Sequence, residues 1–319
     1  MRKVLLATIA ALLSTTTPSY AASVYVALGD SISFGETDLS YVPSDGDRGY
    51  VSQFADTLAF SDGGVRPDVV NLAIDGETAA SFQSNVGRTP PVVGRGDVPL
   101  QAENLNYAGS MVAQGMLFAS KVADEKAAGN SIDNVTITLG FNELAALASL
   151  SPSDALAAIT PTIANYRTNY AEVLTQVRTL LPTANLYLLG YFNPFPADPS
   201  SPGAPIFNTG GMALNATVQS LAGEFGARFV DTVTPFLGNE AAYTYLDEQS
   251  HGATVAGPFG GVLPIGNVHP NTAGYTAIAG VVSAAGAVPE PTVWLTLIIG
   301  FGVVGSVQRR ARQPASVAA

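Results

Sequence analysis

The feature that most constrains the fold is a short run near the start, Val24-Tyr25-Val26-Ala27-Leu28, which stops at Gly29-Asp30-Ser31. A strand wet on one face alternates polar and apolar residues. This run does not alternate, so it reads as a strand covered on both faces, as in a parallel sheet. Gly-Asp-Ser reads as a turn. Open α/β sheets carry their chemistry just past the carboxyl ends of such strands, which makes Ser31 a candidate nucleophile. Taken alone, the tripeptide also fits a plain turn with Ser31 capping a helix.

The rest of the chain repeats the pattern. Residues 69–73, 134–139, 185–189 and 228–230 read as further strands. Helical periodicity covers 50–60, 107–127, 161–181, 212–225 and 272–284, with Pro161 expected in the first turn of its helix and Thr160 as its cap. Stripes such as Met111, Gly115, Phe118 and Val122, or Tyr166, Tyr170, Leu174 and Val177, read as core faces. Alternating strands and helices predict an α/β fold: a parallel sheet of about five strands with helices on both sides. Residues 193–210 and 237–266 are rich in Gly, Pro or Ser and are expected to be loops that could wall a cleft.

Both ends read as processing segments around one domain, 22–286, with no internal repeat. Arg2 and Lys3 precede an apolar run, and Ser19-Tyr20-Ala21 supplies small residues at a cleavage site; 1–21 is expected to be a secretory signal peptide. At the other end Pro289-Glu290-Pro291 leads into an apolar run, about 292–307, and then Arg309, Arg310 and Arg312. That order suits a membrane helix with its end held on the cytoplasmic side. It also resembles the PEP-CTERM sorting signal of exporting Gram-negative bacteria. The resemblance implies that 287–319 is recognised, and cut, by a processing protease at the membrane. A plain membrane anchor is the other reading.

The charge of −11 grows more negative once Arg2, Lys3 and the terminal arginines are set aside. Such a surface repels nucleic acid and anionic lipid, so membrane contact is expected only through the C-terminal segment. With no cysteine there are no disulfides and no thiolate chemistry. An exported protein, at the cell surface, in the matrix or released, is the reading that fits.

The strand ends share a chemical theme. After the second strand comes Asn71 to Thr78 with Gly76 in the turn; after the third comes Gly140-Phe141-Asn142-Glu143; late in the chain Val268-His269-Pro270-Asn271 opens the last helix. Parallel strands bring such ends to one edge. A serine hydroxyl needs a base, which His269 can supply. The oxyanion formed on ester attack needs donors, and the N–H groups of Ser31 and Gly76 and the amide of Asn142 are candidates. No cluster has metal spacing and no loop matches a phosphate cradle.

These four blocks together resemble the SGNH (GDSL) hydrolases, from about Val24 to Ala284. The resemblance implies a three-layer flavodoxin-like fold and ester hydrolysis without metal or organic cofactor. It also implies Ser31 as nucleophile, Gly76 and Asn142 in the oxyanion hole, and His269 as base. Two positions depart from the pattern. Glu143 stands where the family more often has Asp, and Gly266 stands where it usually has the Asp that orients the histidine. A main-chain carbonyl within 266–268 could take that role, leaving a Ser–His dyad. Asp247 or Glu248 could reach in instead. A silent site would leave a binding or matrix protein. The expected substrates are small esters or acylated polysaccharide, with short acyl or acetyl groups favoured because no long apolar segment reads as a lid.

Overall fold

The computed structural model describes residues 21–35, 49–74, 76–84, 112–194, 204–245, 255–256, 262–263 and 267–286. Residues 1–20 of the expected signal peptide, the apolar run at 292–307, and Asp247, Glu248 and Gly266 lie outside the described residues. Among the described residues no helix is long and apolar enough to cross a membrane.

In chain order the elements are β1 (Ser23–Gly29), α1 (Ser31–Phe34), α2 (Gly49–Ser61), β2 (Asp68–Asn71) and α3 (Ser81–Ser84). Then come α4 (Gln114–Ala127), β3 (Ser131–Thr138), α5 (Phe141–Ala145), α6 (Pro152–Leu180), β4 (Asn185–Leu189), α7 (Ala204–Glu224) and β5 (Arg228–Val230). The C-terminal part adds α8 (Val233–Phe236), α9 (Glu240–Tyr243), β6 (Thr244–Tyr245), β7 (Val255–Ala256), β8 (Val262–Leu263), β9 (Asn267–Pro270) and α10 (Thr272–Gly286).

β1 to β5 form one parallel sheet in the order β2-β1-β3-β4-β5. The inner strand β1 is sealed on both faces: Val24 to Leu28 have at most 1 % of their surface exposed. α2 and α10 pack on each other over one face, and α4, α6 and α7 cover the other. On the α2 side Phe54 stands edge-on to Tyr25 of β1 and Tyr187 of β4, with both ring centroids 5.3 Å away. This is the expected three-layer α/β/α arrangement, with the strand order of flavodoxin-like folds. The direction of winding reverses between β1 and β3, and a crevice opens at their carboxyl ends.

Two expectations need correction. Pro161 does not start a helix; it lies inside α6, which begins at Pro152 behind Ser151, whose hydroxyl accepts the Asp154 N–H at 3.3 Å. Proline removes one helical N–H, but Pro161 is exposed, so water can satisfy the freed carbonyl. Ala155 and Ile159 meanwhile bury the preceding turns against the core. Likewise α7 begins at Ala204, inside the stretch expected to be loop, because Ile206 and Phe207 pack into the core. α4 begins at Gln114, and Met111 lies outside the described residues.

Candidate active site

The site is built at the reversal point, starting from Gly29. Its φ of +121° is open to glycine, and a Cβ there would collide with the Thr138 carbonyl, so β1 and β3 can close up only at glycine. The Asp30 N–H then donates to Thr138 O at 3.0 Å. Asp30 caps α1: its Oδ1 accepts from the Ile32 N–H at 3.1 Å and from the Thr138 hydroxyl at 2.9 Å. Its Oδ2 accepts from the Tyr191 hydroxyl. Ser31 therefore starts the helix rather than capping it, and its N–H, in the first turn, has no intrahelical acceptor.

His269 arrives from the other end of the chain. β9 pairs antiparallel with β6, an element the sequence reading placed in a loop, with Pro270 opposite Thr244. The Asn271 N–H donates to Tyr243 O at 2.9 Å, and the Asn271 side chain donates to Ala242 O at 2.8 Å and accepts from the Gly274 N–H at 3.0 Å. Asn271 thus caps α10 and ties it to α9. Gly274 has no Cβ because Tyr243 O occupies the place of one. The result is that His269 Nε2 lies 2.8 Å from Ser31 Oγ, with both residues buried.

The other two sequence candidates lie on adjoining segments. Gly76, buried with φ +73°, sits in the turn after β2, and that turn is pinned to β1 by the Ile74 N–H on Gly29 O at 3.0 Å. Asn142 does not cap its helix; Gly140 holds that position. Its amide donates to Glu77 O at 2.9 Å, so it lies against the residue that follows Gly76. One amide hydrogen is used there and one remains.

Four residues escaped the sequence reading. Gln114 accepts from Gly29 N at 2.7 Å and donates to Gly29 O at 2.9 Å and to Glu77 Oε2 at 3.0 Å. Gln114 is fully buried at the start of α4, beside the core residues Phe118 and Val122, and its type alone gave no local signal. Glu77, also fully buried, accepts from Gln114 and from the Ser81 hydroxyl. Tyr191 and Thr138 hold Asp30 and gave no signal beyond lying at strand ends. Desolvation pushes the Tyr191 phenol well above its usual range, and the nearby Asp30 charge adds to this, so the hydroxyl remains a donor.

A depression of about 410 Å³ lies elsewhere, where β4 and β5 begin. Its Arg178 donates to three main-chain oxygens, of Phe225, Ala184 and Gly226, at 2.7 to 2.8 Å. That arginine is a clasp for the helix ends rather than part of the serine site.

The family model described as GDSL-like Lipase/Acylhydrolase matches residues 27–277. The chain belongs to this family. Solved structures share the fold of this acylhydrolase at low identity. The lipase Lip_vut3 from a goat rumen metagenome is 17% identical with TM-score 0.53, over 83% of this chain and 98% of that one. An extracellular lipase from Streptomyces rimosus is 21% identical with TM-score 0.51, over 83% of this chain and 100% of that one. A phospholipase A1 from Streptomyces albidoflavus NA297 is 19% identical with TM-score 0.51, over 83% and 100% respectively. No curated protein matches the chain.

Tyr191 supplies one test of how this acylhydrolase holds its serine turn. Tyr191→Phe removes a donor to the carboxylate of Asp30, a residue only 1 % exposed. The expected loss is roughly 1.5–3 kcal/mol, the range for a hydrogen bond to a charged group, read from the shift in denaturant midpoint. An unchanged midpoint would mean that Tyr191 does not hold Asp30.

Proposed function

We propose that this acylhydrolase is an exported serine esterase that cleaves carboxylic esters through an acyl-serine intermediate, with short acyl or acetyl groups favoured. The observation that carries the reading is the 2.8 Å approach of His269 Nε2 to Ser31 Oγ. That distance lets His269 take the hydroxyl proton as Ser31 attacks the ester carbonyl carbon. The carbonyl oxygen becomes an oxyanion, met by the N–H groups of Ser31 and Gly76 and the remaining amide hydrogen of Asn142. The carbon–oxygen bond to the alcohol breaks as His269 returns the proton to the leaving oxygen. Water then repeats the sequence on the acyl-serine, releasing the acid and restoring the serine.

The short-acyl part of the reading draws on an aromatic cluster that begins at Phe141, the residue before Asn142. Phe141 stacks on Phe207 at 5.0 Å and tilts against Tyr191 at 5.9 Å, and Phe207 and Tyr191 are buried. Phe141 precedes Asn142 in the chain, so the short-acyl reading sets this ring cluster on the acyl side of the site. Acetylated extracellular polysaccharide is the polymer substrate that fits an exported esterase of this kind.

On a panel of acyl esters, turnover should fall as the acyl chain lengthens, and Ser31→Ala should lower kcat by at least about 10⁴. Strict preference for long chains would reject the short-acyl reading, and a folded Ser31→Ala protein with full activity would reject the mechanism. Export rests on the two terminal segments. Terminal peptide mapping of the mature protein should find a start at Ala22 and loss of the segment after Val288, whereas intact ends would count against processing.

A further inference from the structure

The geometry points to Glu143 as a positioning residue: with Asn142 it clamps the 77–79 turn that fixes the oxyanion donors, and it serves best as the neutral acid. The inference rests on the esterase reading above. Asn142 and Glu143 are neighbours at the start of α5 and grip the same turn at two places. The Asn142 amide donates to Glu77 O at 2.9 Å, and Glu143 Oε1 accepts the Ala79 N–H at 2.7 Å. Gly76 immediately precedes the clamped segment, so the clamp sets where its N–H points. A third tie comes from the Glu77 side chain, which Gln114 links to Gly29.

The second Glu143 oxygen decides the charge. The residue is half-buried as a whole, but Oε2 is shut off from solvent and has no hydrogen-bond partner among the described residues. A bare carboxylate oxygen in that place is costly, whereas a protonated one carries no net charge. The titratable groups that face Glu143 do not relieve it: Asp30 at the β1–α1 turn, Glu77 in the clamped turn, and the buried hydroxyls of Tyr166 and Tyr170 from α6. Burial pushes the Glu143 carboxyl up to about 7; the N–H groups of Ala79 and of Glu143 itself work against that rise, and Asp30 and Glu77 add to it.

Two consequences separate this role from a merely structural one. Ionised Glu143 would put a negative charge next to the place where the oxyanion forms, so it would oppose the transition state more than the ground state. Turnover should therefore show an alkaline fall near pH 7, in addition to the acid fall from protonation of His269. Stability shows the same ionisation without turnover. The folded carboxyl titrates higher than the unfolded one, so stability falls as pH rises from the ordinary carboxylate range through about 7.

The experiment is a pH series of kcat and KM on a short acyl ester, with melting temperatures, for wild type, Glu143→Gln and Glu143→Ala. Glu143→Gln keeps an oxygen for the Ala79 N–H and cannot ionise. It should lose the alkaline limb, turn over on the order of tenfold faster than wild type at pH 9, and melt higher than wild type above pH 7 but not below pH 4. Glu143→Ala opens the clamp, and kcat should fall at every pH with a smaller change in KM. A limb that persists in Glu143→Gln, a wild type without one, or an unchanged kcat in Glu143→Ala would overturn the proposal. A wild type that turns over no ester at any pH would overturn the esterase reading instead.

Discussion

A carboxylate held almost entirely out of water is the constraint on which this site depends. Asp30 is 1 % exposed, and an ion in that position is tolerated only when its oxygens are taken up by donors. Here the donors come from three parts of the fold: the Ile32 N–H of α1, the Thr138 hydroxyl at the end of β3, and the Tyr191 hydroxyl after β4. Meeting that demand brings three strand ends together around one turn. Ser31 follows Asp30 directly, so its backbone inherits the rigidity. The bonds continue inward, since the Thr138 hydroxyl, its hydrogen on Asp30, can accept from the Ser33 hydroxyl 2.8 Å away, and Ser33 is bonded to Tyr50 at 2.6 Å. Ser31 is thus anchored to the core of the sheet.

A second set of bonds does for the turn at 76–79, the proposed oxyanion turn, what the first does for the serine. Gln114 reads both polar groups of Gly29 and passes the connection to Glu77, while Asn142 and Glu143 hold the same turn from α5. Donors fixed before substrate arrives need no reorganisation when charge develops, which is where electrostatic catalysis gains most. The cost is a crowd of acidic groups, Asp30, Glu77 and Glu143, within one low-dielectric region. Two of them have donors for both carboxyl oxygens; Glu143 does not, and that asymmetry makes it the group whose protonation matters.

Much of this was legible in the sequence. The unalternated run of β1 announced a parallel sheet because a strand covered on both faces has no reason to alternate, and the strand ends could then be read for chemistry. Ser31 and His269, 238 positions apart, were paired by residue type and were found 2.8 Å apart. Other features were hidden for physical reasons. Pro161 suggested a helix start, yet an exposed proline can lie within a helix whose earlier turns are held by Ala155 and Ile159. β6 has too few residues to leave a periodic pattern, though it aligns His269. Gln114, Tyr191 and Thr138 act through tertiary contacts with partners tens of residues away, which no local pattern encodes.

The central claim is that Ser31 is an activated nucleophile. The most direct measurement is reaction of the folded, full-length protein with a fluorophosphonate probe, followed by peptide mapping of wild type and His269→Ala. The account predicts a single adduct on the peptide that contains Ser31, lost when His269 is replaced. An unlabelled wild-type Ser31 in folded protein, or labelling that persists unchanged in His269→Ala, would contradict it.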